Sequence, residues 1–146
     1  FLLIAFAAAL LSGCSSGRST IVGLRIELTG IAQSADGTTR IGWRVLNPNV
    51  VAYLLDESTH RITLDGVQVG TIKETSPIGV PAQQQVDRTS TLAASGPAAQ
   101  ALAAAAARGS AGYRVESQIV VRLYGETIQK TSLSNGGEVK VSGQVN

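Results

Sequence analysis

The sequence predicts an all-β chain, an antiparallel β-sandwich of about seven strands with a single alanine-rich helix. Three observations predict it. From Ile21 onward, most segments alternate apolar and polar residues with a period of two. Turn residues punctuate them at short spacing, at Ala35-Asp36-Gly37, Asn47-Pro48-Asn49, Asp65-Gly66 and Ser134-Asn135-Gly136-Gly137. Only Pro97 to Arg108 has helical composition, and it lies between two groups of strands, so it crosses from one sheet to the other.

The first strand falls within Thr20–Ile31, where aliphatic and β-branched residues enclose Arg25 and Glu27. In Thr39–Leu46, Ile41, Trp43 and Val45 share one face and Arg40, Gly42 and Arg44 the other. Pro48 lacks an amide donor and ends this strand. Val51–Leu55 and Arg61–Leu64 read as two further strands, with Asp56-Glu57-Ser58 between them as a solvated turn. Asp65-Gly66 then suits a type I′ hairpin into Val67-Gln68-Val69, because both central residues need positive φ. Thr75–Pro81 reads as an irregular connection, and Gln83–Leu92 as a strand with Val86 and Leu92 as core contacts. The helix starts at a proline and stops before Gly109, with Arg108 at the negative end of its dipole. It docks through Leu102 and one alanine face, since a dozen or so residues are marginal alone. Next, Tyr113, Val115, Ser117, Ile119, Val121 and Leu123 define one strand face, with Arg114, Glu116, Gln118 and Arg122 opposite. Thr127–Leu133 and Glu138–Val145 are expected to form a final hairpin through Ser134–Gly137.

Composition removes several function classes. The 146 residues carry 12 basic and 10 acidic side chains, a net charge of +2, and these are interleaved rather than gathered into a patch. Capture of nucleic acid is therefore not expected. A single cysteine and a single histidine leave too few soft ligands for a zinc site and no partner for an intramolecular disulfide. His60 stands between Thr59 and Arg61 and reads as a solvated surface histidine, and no Gly-x-Ser-x-Gly elbow occurs. No Gly-x-x-x-x-Gly-Lys or Gly-x-Gly-x-x-Gly phosphate cradle occurs either. The expectation is a non-enzymatic protein with no catalytic residues, cofactor or metal.

The N-terminal end has its own logic. Phe1–Leu11 is an uncharged apolar run, too short to span a bilayer and of the length of an export-signal core. The sequence contains no methionine, so the basic start of such a signal is not in it. Leu11-Ser12-Gly13-Cys14 follows, and this resembles the lipobox of bacterial lipoproteins. The resemblance implies cleavage between Gly13 and Cys14 and acylation of Cys14. Several acyl chains on one residue anchor a protein stably. Ser15, rather than aspartate, after the cysteine implies the outer membrane, facing the periplasm. Residues 1–13 are then a signal peptide, 14–20 a lipidated tether and 21–146 the folded domain.

Ile41-Gly42-Trp43-Arg44-Val45-Leu46-Asn47-Pro48-Asn49 also resembles a known pattern. It is similar to the strand and Asn-Pro-Asn turn of late embryogenesis abundant (LEA) type 2 proteins, whose domain is also called the water stress and hypersensitive response (WHy) domain. The order of the remaining elements from Ile21 to Ser142 agrees. The resemblance implies an immunoglobulin-like or fibronectin type III-like sandwich and a role in protection against desiccation and related stress. The implied partners are the membrane, through the lipid anchor, and partly unfolded client proteins whose aggregation it limits. The alternative is an envelope binding or assembly module that recognises a protein or lipid.

Overall fold

The computed structural model describes residues 23–34, 36–123 and 127–143. Gly13, Cys14 and the expected leader and tether lie outside the described residues. Within them run β1 (Arg25–Gln33), β2 (Thr38–Asn47), β3 (Tyr53–Leu64), β4 (Val67–Glu74), β5 (Ile78–Val80), β6 (Gln84–Ala93), α1 (Pro97–Arg108), β7 (Ser110–Leu123) and β8 (Thr127–Ser142). The described residues are mostly β with one short helix, as the alternating pattern predicts.

The strands form one curled eight-stranded sheet in the order β4-β3-β7-β8-β1-β2-β6, with β5 paired to the start of β3. Every pairing is antiparallel except that of β1 with β8, which is parallel. The sheet curls until its edge strands β4 and β6 meet through side chains. There the Leu92 side chain lies over Gly70, where a Cβ would sit only 2.3 Å from Leu92 Cδ1. Ser90 Oγ donates to Glu74 Oε1 at 3.1 Å across the same gap.

Inward-facing residues fill the curl, among them Ile26, Ile41, Trp43, Leu55, Ile62 and Ile119, all buried. Helix α1 closes one end of it through Leu102 and Ala105. Gly109 ends the helix in the left-handed conformation, its amide donating to the Ala105 and Ala106 carbonyls. Burying Leu102 contributes about 2 kcal/mol. The end with the turns at residues 34–37 and 65–66 and both termini of α1 is here called distal. The proximal end holds the start of β1, the β2–β3 loop and the β5–β6 loop.

Two expected breaks are absent. Asp56-Glu57-Ser58 does not separate two strands, because β3 runs unbroken from Tyr53 to Leu64. Asp56 is instead the extra residue of a bulge against β7. Its carboxylate accepts from Arg122 Nη2 at 2.8 Å and Nε at 3.1 Å, so the charge is paired without a turn. Likewise Ser134–Gly137 makes no hairpin. β8 continues through it, paired with β7 from Thr127 opposite Leu123 to Lys140 opposite Ser110. The glycines serve close approach rather than reversal: a Cβ on Gly137 would lie 3.2 Å from Tyr113 Cε1 and one on Gly136 2.9 Å from the Tyr113 carbonyl oxygen. Asn135 helps join the sheet, its Oδ1 accepting from the Ile26 amide at 3.2 Å. The connection expected over Thr75–Pro81 contains the short strand β5.

Candidate functional site

The Asn47-Pro48-Asn49 segment is a built corner rather than a plain turn. Asn47, the last residue of β2, is buried at 2% exposure. Its Nδ2 donates to the carbonyls of Val51 at 2.8 Å, Pro81 at 3.0 Å and Val80 at 3.3 Å. Its Oδ1 accepts from the Asn49 amide at 3.0 Å and from Asn49 Nδ2 at 3.1 Å. The Gln83 amide then donates to the Asn49 carbonyl at 2.9 Å. One side chain thus clamps the β2–β3 loop to the β5–β6 loop. Only an amide fits, because the position needs donors and an acceptor at the same reach. Pro48 places its ring outward, and Val50 at the tip is 80% exposed. The sequence marks this as a strand end and, by parity with Ile41, Trp43 and Val45, puts Asn47 on the inward face; what it does not mark is which carbonyls the side chain meets.

A second constellation overturns an expectation. His60 is not a solvated surface residue: it is 1% exposed and faces the core on β3, in phase with Ile62 and Leu64. Its Nδ1 lies 2.8 Å from Ser117 Oγ on β7, directly opposite in the ladder. Its ring packs on Trp43 with centroids 4.6 Å apart. Trp43 Nε1 donates to Ser90 Oγ at 3.0 Å, and Ser90 in turn reaches Glu74. A polar seam therefore crosses the interior from half-buried Glu74 to Ser117. Burial pushes the His60 pKa down from 6.5 to about 4, so the ring is neutral at ordinary pH. His60 Nε2 and Ser58 Oγ have no hydrogen-bond partner among the described residues.

The His60–Ser117 pair has the spacing of a base and a nucleophile, but both side chains face a packed core. Among the described residues no carboxylate bonds the imidazole: Nδ1 meets Ser117 Oγ and Nε2 has no partner. Among the described residues, no group of three or more His, Cys, Asp or Glu could hold a metal ion, and no helix is long and apolar enough to cross a membrane.

The outward face of β3, β7 and β8 is mixed in charge. Arg61 and Glu116 lie 3.4 Å apart, and with Thr59, Gln118, Ser132 and Ser134 they line a shallow groove of about 370 Å³. Arg44 pairs with Asp87 at 3.0 Å, and Arg108 with Asp65. At the proximal end, Arg25, Pro48 and Gln83, Gln84 and Gln85 line a hollow of about 540 Å³ beside the Asn47 corner.

No protein-family model matches the chain, and no curated protein matches it. Solved structures do. One is the solution structure of a protein from Arabidopsis thaliana, 13% identical, covering 81% of this chain and 78% of that one with a TM-score of 0.51. Another is the solution structure of a protein provisionally assigned as late embryogenesis abundant (LEA), 10% identical, covering 84% of this chain and 73% of that one with a TM-score of 0.50. The chain shares their fold. At these identities the likeness is one of fold and not of sequence.

Proposed function

We propose that the chain is a lipid-anchored envelope protein of the LEA type 2/WHy kind, with a non-catalytic role in protection against desiccation and related stress. The observation that carries this reading is the fold shared with the LEA protein, at a TM-score of 0.50. The Asn47-Pro48-Asn49 corner, which resembles that family's turn, supports it from the side of the sequence. The Leu11-Ser12-Gly13-Cys14 string supports attachment through acylated Cys14, at an outer membrane facing the periplasm. On this reading the two ends of the curled sheet, joined through β8, are the two layers of an immunoglobulin-like or fibronectin type III-like sandwich.

The mechanism in this proposal is weak, non-catalytic contact. As water is lost, partly unfolded proteins expose apolar surface and associate. A stable domain with a mixed polar face, held at high local concentration on the membrane, separates such clients without forming a permanent complex. The shallow groove of Thr59, Arg61, Glu116 and Gln118 favours a second reading, a module that binds one envelope partner. Drying a model enzyme with the full chain, or with an unrelated β-sandwich at equal mass, tests the first reading. Better retention of soluble enzyme with this chain is expected; equal retention removes the specific role. Recovery of one stoichiometric partner from envelope extracts moves the conclusion to the second reading.

A further inference from the structure

We infer that the proximal end of the domain is its membrane-facing surface, seated on a phospholipid headgroup layer with Val50 at the point of contact. This rests on the lipid-anchor reading of Cys14 and adds an orientation to it.

Four observations converge on that end. The first is where the described residues begin. Gly23 lies against the Asn47 corner, so close that a Cβ on it would meet Pro48 Cγ at 3.0 Å. The segment from Cys14 to Gly23 reaches about 30 Å at most, even fully extended. Strand β8 alone, from Thr127 to Ser142, runs about 50 Å. An anchor attached ahead of Gly23 therefore cannot bring the distal end to the bilayer while the proximal end points away.

The second is charge. Leu46 to Leu55 and Thr75 to Val86, the β2–β3 and β5–β6 loops of the proximal end with their flanks, contain no Asp, Glu, Lys or Arg. The distal end carries Asp36, Asp65, Arg108 and Lys140. Charged groups resist transfer into a region of low dielectric, so these two loops approach lipid more readily than the charged distal turns, with Arg25 left at the headgroup level beside them.

The third is apolar exposure. The large hydrophobic side chains exposed among the described residues are Val50 at 80%, Ile128 at 54% and Val67 at 38%. Val50 and Ile128 belong to the proximal end, whereas Val67 follows the distal hairpin turn. The fourth is rigidity. Asn47 satisfies the Val51, Val80 and Pro81 carbonyls and the Asn49 amide internally. The loop can leave bulk water without losing those hydrogen bonds, and Val50 is held outward instead of folding back. Beside it, Arg25 and Gln83 to Gln85 offer guanidinium and amide donors around the hollow of about 540 Å³, chemistry suited to lipid phosphates.

The test uses the full chain, produced in an exporting bacterium and recovered from its envelope. Intact mass first establishes whether Cys14 carries its diacylglyceryl thioether. With Cys14 acylated, Val50→Cys or Val67→Cys supplies one free thiol for an environment-sensitive fluorophore. Each labelled protein is reconstituted in phosphatidylethanolamine/phosphatidylglycerol vesicles with or without nitroxide-labelled lipid. Both positions are exposed, so unchanged melting temperatures confirm that neither substitution disturbs the fold. Quenching several-fold greater at position 50 than at 67 is expected. Equal or absent quenching with acylated Cys14 overturns the orientation and leaves the anchor standing. Unmodified Cys14 overturns the anchor and the orientation with it. A fluorophore at position 50 shielded without vesicles, in a protein that runs as a dimer, assigns the surface to a second copy and overturns the proposal.

Discussion

Lowering the pH should weaken this protein through one residue. His60 is buried between Trp43 and Ser117, and its pKa falls to about 4 from the 6.5 of an unburied imidazole. The unfolded chain therefore takes up the proton at higher pH than the folded one, and stability falls as the solution becomes more acid. The contribution is fully present above pH 6.5 and is lost progressively as pH falls through about 4. At 1.36 kcal/mol for each unit of pKa, the whole loss is about 3 kcal/mol. A small domain has only about 5–15 kcal/mol in total, so the loss is easily measured. The perturbation is His60→Phe, which keeps a ring against Trp43 and removes the titrating group. Urea unfolding at intervals from pH 7.5 to 3.5 gives a stability curve for each protein. Every other titrating group is common to both curves, so the difference between the two isolates His60. That difference should change by about 3 kcal/mol across the range, in favour of the variant at low pH. Parallel curves would show that His60 is charged in the folded protein or reaches water, and would refute the burial argument.

Other substitutions probe the remaining interior features. Asn47→Ala leaves the Val51, Val80 and Pro81 carbonyls without their shared donor and should cost about 3 kcal/mol by thermal or chemical melting. Asn47→Asp should not restore it, because a carboxylate cannot donate to those carbonyls. Gly137→Val should destabilise by about 1–3 kcal/mol by driving into the Tyr113 ring, and the double variant with Tyr113→Ala should recover part of that loss. A Gly137→Val protein as stable as the parent would mean that β8 does not lie against Tyr113. Arg122→Leu should cost no more than about 1 kcal/mol by urea unfolding, since both partners of the Asp56 pair keep access to solvent.

Much of the fold was legible because short-range periodicity reports burial directly. Ile41, Trp43 and Val45 in β2, and Val115 to Leu123 in β7, alternate in the structure as they do in the sequence. The Asp65-Gly66 turn is formed with φ of 46° and 86°, and α1 begins at Pro97 and ends at Gly109 as its capping residues require. The failures arose where composition and pairing disagree. Asp56-Glu57-Ser58 looks like a turn, but a bulge absorbs one residue and Arg122, distant in sequence, neutralises Asp56. Ser134 to Gly137 has turn composition, yet the partner that explains the glycines is Tyr113 on another strand. His60 carried a usable signal: it shares parity with Ile62 and Leu64, which places it on the inward face. Asn47 carried the same signal, in phase with Ile41, Trp43 and Val45; what had no signal was its set of partners. Its partners, Val80 and Pro81, come from a segment that reads as irregular.

The position of β8 in the sheet also orders events in time. It is the last of the described strands, yet it lies between β7 and the first of them, β1, meeting β1 where Ile31 stands opposite Val141. Until Val141 has emerged from a ribosome or a translocation pore, the β1-β2-β6 half and the β3-β4-β7 half have no strand to join them. Contacts this distant in sequence also form slowly. An unfinished chain therefore remains open and threadable, and the fold completes only after its C-terminal strand has arrived.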